Sequence, residues 1–189
     1  LSAILGMSSA PEAPVRILGS PDTAVPEVQL LSNGRYHVMV TNAGGGSSRW
    51  KDLAVTRWRE DTTCDNWGTF CYVRDVESGE FWSTAHQPTL TRPARYEAIF
   101  TEARAEFRRL DGDIESHTEI VVSPEDDIEL RRVRITNRRW FTELDDLPSV
   151  RAEPLGHVVG VGELGRAVDG DVVVVVDRDE VAELEVAGE

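Results

Sequence analysis

Along Tyr36–Val40 the side chains alternate: Tyr36, Val38 and Val40 lie on one parity, Arg35, His37 and Met39 on the other. A period of two puts alternate residues on opposite faces, so this stretch predicts a half-buried strand. Asn33-Gly34 separates it from Gln29–Leu31. Both turn residues tolerate positive φ, which predicts a hairpin. Leu53–Thr56, Gly68–Arg74 and Phe81–Ser83 read as shorter strands, the last two joined by a turn at Glu77–Glu80. Farther on, Tyr96–Thr101, Arg104–Leu110, Asp113–Val122 and Asp127–Asn137 alternate between short turns at 102–103, 111–112 and 123–126. That spacing predicts an antiparallel meander. Ile128, Leu130, Val133 and Ile135 change phase across Arg131-Arg132, the signature of one β-bulge. The charged alternates Glu106, Arg108, Glu129, Arg131 and Arg134 read as a solvated sheet face that pairs across strands.

The same pattern divides the chain. Residues 1–28, with Pro11, Pro14, Pro21 and Pro26, predict an extended lead-in with one short strand at Val15–Leu18. Residues 29–137 form the β domain. Residues 138–189 change character, dotted with glycine and acids around the run Val172–Val176, which reads as a charge-guarded strand. The fold class predicted is all-β, with antiparallel sheets.

Composition narrows the partners. The chain has 189 residues, 34 acids against 20 bases and a net charge of −14. Repulsion from phosphates argues against nucleic acid and anionic membranes. No apolar run reaches the roughly 20 residues needed to span a bilayer. Cys64 and Cys71 are too few for a disulfide framework and read as reduced thiols, in keeping with a cytoplasmic setting. His37, His86, His117 and His157 show no metal-ligand spacing, so neither a metal nor a cofactor is expected.

Chemistry-bearing candidates are few. Gly44-Gly45-Gly46-Ser47-Ser48-Arg49-Trp50 has two readings: a mobile surface loop, or a loop lying against a ligand or another subunit. Its phosphate-loop reading fails for want of a Gly-Lys-Ser/Thr ending and a following helix. Trp50, Trp58, Trp67 and Trp82 read mainly as core aromatics. His86, His117 and Glu119 are candidates for sugar acid–base chemistry by residue type, and His117 and Glu119 share a strand face. Glu60 and Asp61 are adjacent on a strand and so point opposite ways.

Leu30–Tyr36, Ser48–Asp61, Asp65–Gly68, Tyr72–Asp75 and Val122–Asp127, followed by Arg131–Asn137, together resemble the N-terminal β domain of glycosyltransferase family 36, which holds cyclic β-1,2-glucan synthases and cellobiose- and chitobiose-type phosphorylases. The pattern is most similar to the cyclic glucan synthase branch. The resemblance implies a galactose-mutarotase-like supersandwich, here incomplete, that precedes an (α/α)6 catalytic barrel. It implies that residues 44–50 lean over a carbohydrate pocket, with Ser47 standing where relatives often have tyrosine. It further implies a β-glucan or oligosaccharide ligand, a homodimer or catalytic-domain partner, and relatives associated with the inner membrane. Under that reading no catalytic residue is present and the chain is a truncated accessory domain. The alternatives are a stand-alone mutarotase-like epimerase and a structural self-association module. Residues 138–189 match no part of the pattern and have the composition of a GC-rich gene read out of frame, a hypothesis that sequencing beyond the Asn137 codon tests.

Overall fold

The computed structural model describes residues 14–56, 66–75 and 78–138, and the backbone of strands at 150–151, 169–176 and 184–187. Among the described residues every regular element is a strand. In chain order these are β1 Arg16–Leu18, β2 Val28–Ser32, β3 Tyr36–Thr41, β4 Gly46–Trp50, β5 Leu53–Ala54, β6 Tyr72–Asp75, β7 Phe81–Ser83, β8 Arg95–Thr101, β9 Arg104–Asp111, β10 Ile114–Val122, β11 Glu129–Asn137, β12 Val150–Arg151, β13 Asp169–Val176 and β14 Leu184–Ala187. They form a seven-stranded sheet (β1-β8-β9-β10-β11-β13-β14), a four-stranded sheet (β2-β3-β4-β5) and a three-stranded sheet (β12-β6-β7). Both predicted hairpins and the meander form. The lead-in contributes β1, which pairs with β8, and the valine run lies in β13 beside β11. Trp58, Glu60, Asp61, Cys64 and Trp140 lie outside the described residues.

The core is a sandwich. Leu31, Tyr36, Val38 and Val40 from the four-stranded sheet meet Tyr96, Ala98, Phe100, Ala105, Phe107 and Ile120 from the large sheet. Period-two alternation supplies both inner faces, as an aligned sheet-on-sheet packing requires. Phe100 and Phe107 meet edge to face, with centroids 6.4 Å apart. Asn42, almost fully buried, moors residues 20–27 to this core. Its Oδ1 accepts the Glu27 N–H, and its Nδ2 donates to the Ser20 and Pro21 carbonyls. The Tyr96 hydroxyl donates to the Asn42 carbonyl at 2.6 Å.

Two expectations about β11 do not hold. There is no bulge: Glu129 to Asn137 pair one for one with Val122 to Ile114. The row facing the other sheet is Glu129, Arg131, Val133 and Ile135, so the phase change arises because this inward row begins with charged residues. Nor is that row solvated. Glu129 is 0% exposed and Arg131 7%. The Glu129 carboxylate accepts from Arg131 Nε at 2.5 Å and from the Ser48 hydroxyl at 2.6 Å. Arg131 also donates to the Thr69 carbonyl. Each buried charge therefore has an opposite charge and a further hydrogen bond, the condition under which such burial is tolerated. On β9, Glu106 is also buried although it lies on the outer face. Arg134 is exposed and Arg108 half-buried, closer to expectation.

Beside this pair, the motif segments 30–36, 48–50 and 122–127 close on one another. Asn33 Nδ2 donates to the Ser123 and Asp126 carbonyls, both at 2.9 Å. Arg35 reaches Asp127 at 2.7 Å and the Glu125 carbonyl at 2.9 Å. The Trp50 indole N–H donates to the other Asp127 oxygen at 2.6 Å. The motif is thus a clasp between the two sheets.

The buried pair predicts a non-additive response. Arg131→Met alone leaves a buried carboxylate uncompensated and should cost about 3–5 kcal/mol. Glu129→Leu combined with Arg131→Met should cost less than Arg131→Met alone; equal or greater loss in urea denaturation would show that the two do not act as a unit. The clasp predicts a pH dependence. Hydrogen bonds from Arg35 and Trp50 hold the Asp127 carboxyl below its ordinary value of 3.8. A depressed carboxyl stabilises the fold above its unfolded pKa, and that contribution is lost as pH falls through the folded value. The difference in urea midpoint between the native chain and Asp127→Asn should therefore be greatest at neutral pH and shrink below about 3.8. A constant difference down to pH 2 would refute it.

Candidate functional site

Residues 44–50 run through the turn after β3 and all of β4, and most of them face inward. Gly44, Gly45, Gly46 and Ser48 are buried, Ser47 and Trp50 half-buried, and Arg49 exposed. The mobile-loop reading fails for the glycines. Gly44 has φ +91°, and a Cβ there would overlap the Ala85 side chain. A Cβ on Gly46 would overlap the Met39 carbonyl. Gly46 N–H donates to the Trp67 carbonyl at 2.7 Å. These glycines serve close backbone approach. The register Met39↔Ser47 and His37↔Arg49 places Ser47 and Arg49 on the outer face of the four-stranded sheet, beside the exposed Leu30 and the Ser32–His37 pair. Lys51 Nζ sits 4.5 Å over the Trp50 ring. Surface contact from this segment therefore falls to Ser47, Arg49 and the rim of Trp50.

The outer face of the large sheet gathers the acid–base candidates. Glu106 lies opposite Glu119 in the β9–β10 ladder, and His117 opposite Arg108. The Glu106, His117 and Glu119 ligand atoms lie within 4.8 Å of one another. His117 Nε2 and Glu106 Oε2 are 2.8 Å apart. Arginines surround them: Arg104 bridges Glu106 and Glu119 at 2.8 and 2.9 Å, Arg108 reaches Glu106 at 3.2 Å, and Arg132 Nε reaches Glu119 at 2.7 Å. Burial works to raise the Glu106 carboxyl, and the His117 hydrogen bond with the Arg104 charge outweighs it, leaving it lowered. A general base needs an available lone pair and a pKa tuned towards neutrality. A divalent ion needs the same oxygens. The geometry instead gives an ion-pair lattice. Periodicity pointed to His117 and Glu119 on one face; Glu106 and the arginines that engage them come from neighbouring strands and carry no local signal.

His86 is buried apart from this group, with Nε2 4.0 Å from Asp22. Burial lowers its pKa, against the pull of Asp22. Burial raises the Cys71 thiol, Arg131 lowers it and Glu129 raises it, and the net shift is upward. A protonated thiol is a poor nucleophile.

An open cleft of about 740 Å³ lies at the other end of the β10–β11 ladder, between the β6–β7 hairpin and the β9–β10 turn. Asp75, Glu80, Phe81, Trp82, Asp111 and Asp113 line it. Nothing in the sequence marked it, because its walls come from four separate segments.

Comparison with known proteins agrees with this architecture. The family model described as glycosyl hydrolase 94, supersandwich domain, matches residues 11–143. Cyclic beta-(1,2)-glucan synthase NdvB of Rhizobium meliloti (strain 1021) is 39% identical over 123 residues, 65% of this chain and 4% of that protein. The 3-O-beta-D-glucopyranosyl-beta-D-glucuronide phosphorylase of Paenibacillus borealis is 26% identical over 121 residues, 64% of this chain and 15% of that enzyme. The N,N'-diacetylchitobiose phosphorylase of Vibrio furnissii is 29% identical over 97 residues, 49% of this chain and 12% of that enzyme. The chain thus spans a small fraction of these relatives. Among the described residues no helix is long and apolar enough to cross a membrane. The antiparallel all-β sandwich, the sheet-to-sheet clasp built from the motif residues and the match over residues 11–143 agree: the chain belongs to the glycosyl hydrolase 94 supersandwich domain family.

Proposed function

We propose that this chain acts as an N-terminal accessory domain of a β-glucan synthase or glycoside phosphorylase-like enzyme. It contributes carbohydrate contact and assembly, and turnover belongs to an (α/α)6 barrel outside these residues. The observation that carries the reading is the state of the carboxylates. Glycoside chemistry needs an acid poised at the bond together with phosphate or a second carboxylate. The carboxylates that the large sheet brings together, Glu106 and Glu119, are committed to Arg104, Arg108 and Arg132. The family membership and the similarity to a glucan synthase supply the ligand class. Carbohydrate contact is assigned to the outward part of residues 44–50, namely Ser47, Arg49 and the Trp50 rim. A cytoplasmic setting and self-association through open sheet edges belong to the same proposal.

A second reading, a mutarotase-like epimerase, draws on the gathering of His117, Glu106 and Glu119 within 4.8 Å. The arginine lattice weighs against it.

Incubated with β-linked glucans and phosphate, the chain should release no sugar phosphate, and NMR should show no acceleration of anomer exchange in free glucose. Phosphorolysis would overturn the accessory reading, and anomer exchange lost in Glu106→Gln would establish the epimerase. In calorimetric titration with β-(1,2)-linked gluco-oligosaccharides, Arg49→Ala should weaken binding about tenfold, the loss of one charge-assisted hydrogen bond. Unchanged affinity would remove residues 44–50 from the contact.

A further inference from the structure

We propose that the cleft between the β6–β7 hairpin and the β9–β10 turn is a separate binding subsite for a neutral, polyhydroxylated ligand, a short oligosaccharide. This rests on the carbohydrate-handling reading above and moves part of the contact to a place that reading does not use. The cleft encloses about 740 Å³, within the roughly 300–1,000 Å³ of small-ligand sites.

Its walls select the ligand chemistry. The Phe81 ring is 50% exposed and offers an apolar plane. Glu80 and Asp113 are exposed and Asp75 half-buried. Ionised carboxylates only accept hydrogen bonds, so they suit a ligand rich in hydroxyl donors. They repel phosphates and other anions. A wholly apolar ligand would desolvate them without return. A metal is not favoured, because the described trio of metal-capable side chains is Glu106, His117 and Glu119, none of which lines the cleft. Asp111 is already neutralised: both its oxygens take the Arg109 guanidinium at 2.6 Å. Arg92 is held by Asp22 at 3.0 Å.

Trp82 lines the cleft and is only 5% exposed, so its indole resonance reports on occupancy. An apolar plane beside carboxylate acceptors is what an amphipathic sugar ring can satisfy at once.

The cleft and the 44–50 segment can be told apart. Ile114 and Asn137 sit at the cleft end of the β10–β11 ladder, and Val122 and Glu129 at the clasp end. Eight residue steps separate the ends, ~25 Å at the usual strand rise. The test is a titration of the full chain with a β-(1,2)-linked glucotetraose, followed by calorimetry and by the Trp82 indole resonance, assigned through Trp82→Phe. We expect that resonance to shift on binding. Phe81→Ala and Glu80→Gln, both at exposed positions, should each raise Kd about tenfold at the cleft while Arg49→Ala leaves that event unchanged. If both cleft variants bind as the native chain does and Arg49→Ala alone loses affinity, the cleft proposal is overturned and the carbohydrate reading stands. If the native chain shows no saturable binding, both are overturned.

Discussion

The Glu129 carboxylate sits between two sheets, with no exposure, and the rest of the sandwich has to satisfy it. Its partners come from far apart in the chain: Ser48, 81 positions away, and Arg131, which also holds the Thr69 carbonyl. A one-residue slip of β11 would turn Glu129 and Arg131 outward and bring Leu130 opposite Ser48. The inner face would lose the pair, and the outer face would lose its arginine lattice. The charge thus fixes the register of β11 and the placement of the four-stranded sheet over it. Such a pair adds little net stability over an apolar one of the same shape, and its effect falls on which structure forms.

That constraint explains the form of the motif. Asn33, Arg35, Trp50 and Asp127 surround the same corner, joining a hairpin turn, a strand end and the turn before β11. The glycines follow the same logic. Ser48 reaches Glu129 only if β4 lies tight against β3 and the 84–86 segment, and Gly44 and Gly46 permit that approach. A stretch that looks like a ligand loop on composition is thereby largely consumed in assembling the fold.

The strands were legible because side-chain parity is a local signal. Tyr36–Val40 and the four meander segments need nothing beyond their own alternation to be placed. The facing of β11 was not legible, because Glu129-Leu130-Arg131-Arg132-Val133 alternates equally well either way. What decides it is Ser48, on another sheet. The same holds for Glu106, whose burial on an outer face depends on His117, Arg104 and Arg108. Charged positions in strands therefore leave two readings open until the partner is known, whereas Val38 or Phe107 leave one. The cleft escaped notice for a related reason: Phe81, Thr91, Asp113 and Asn137 meet only after four segments fold together.

The distribution of charge then bears on function. On the outer sheet face Arg104, Arg108 and Arg132 balance Glu106 and Glu119, so this lattice is not the source of the net charge of −14. Part of the excess acid sits at the two ends of the β10–β11 ladder: Glu125 and Asp126 at one, Glu80 and Asp113 at the other. Ends of that kind repel phosphates and polyanions beyond the reach of any single contact. A neutral polyol is not repelled, and it carries the hydroxyl donors that exposed carboxylates accept. The long-range field and the local hydrogen-bonding chemistry favour the same class of ligand, although they arise from different residues.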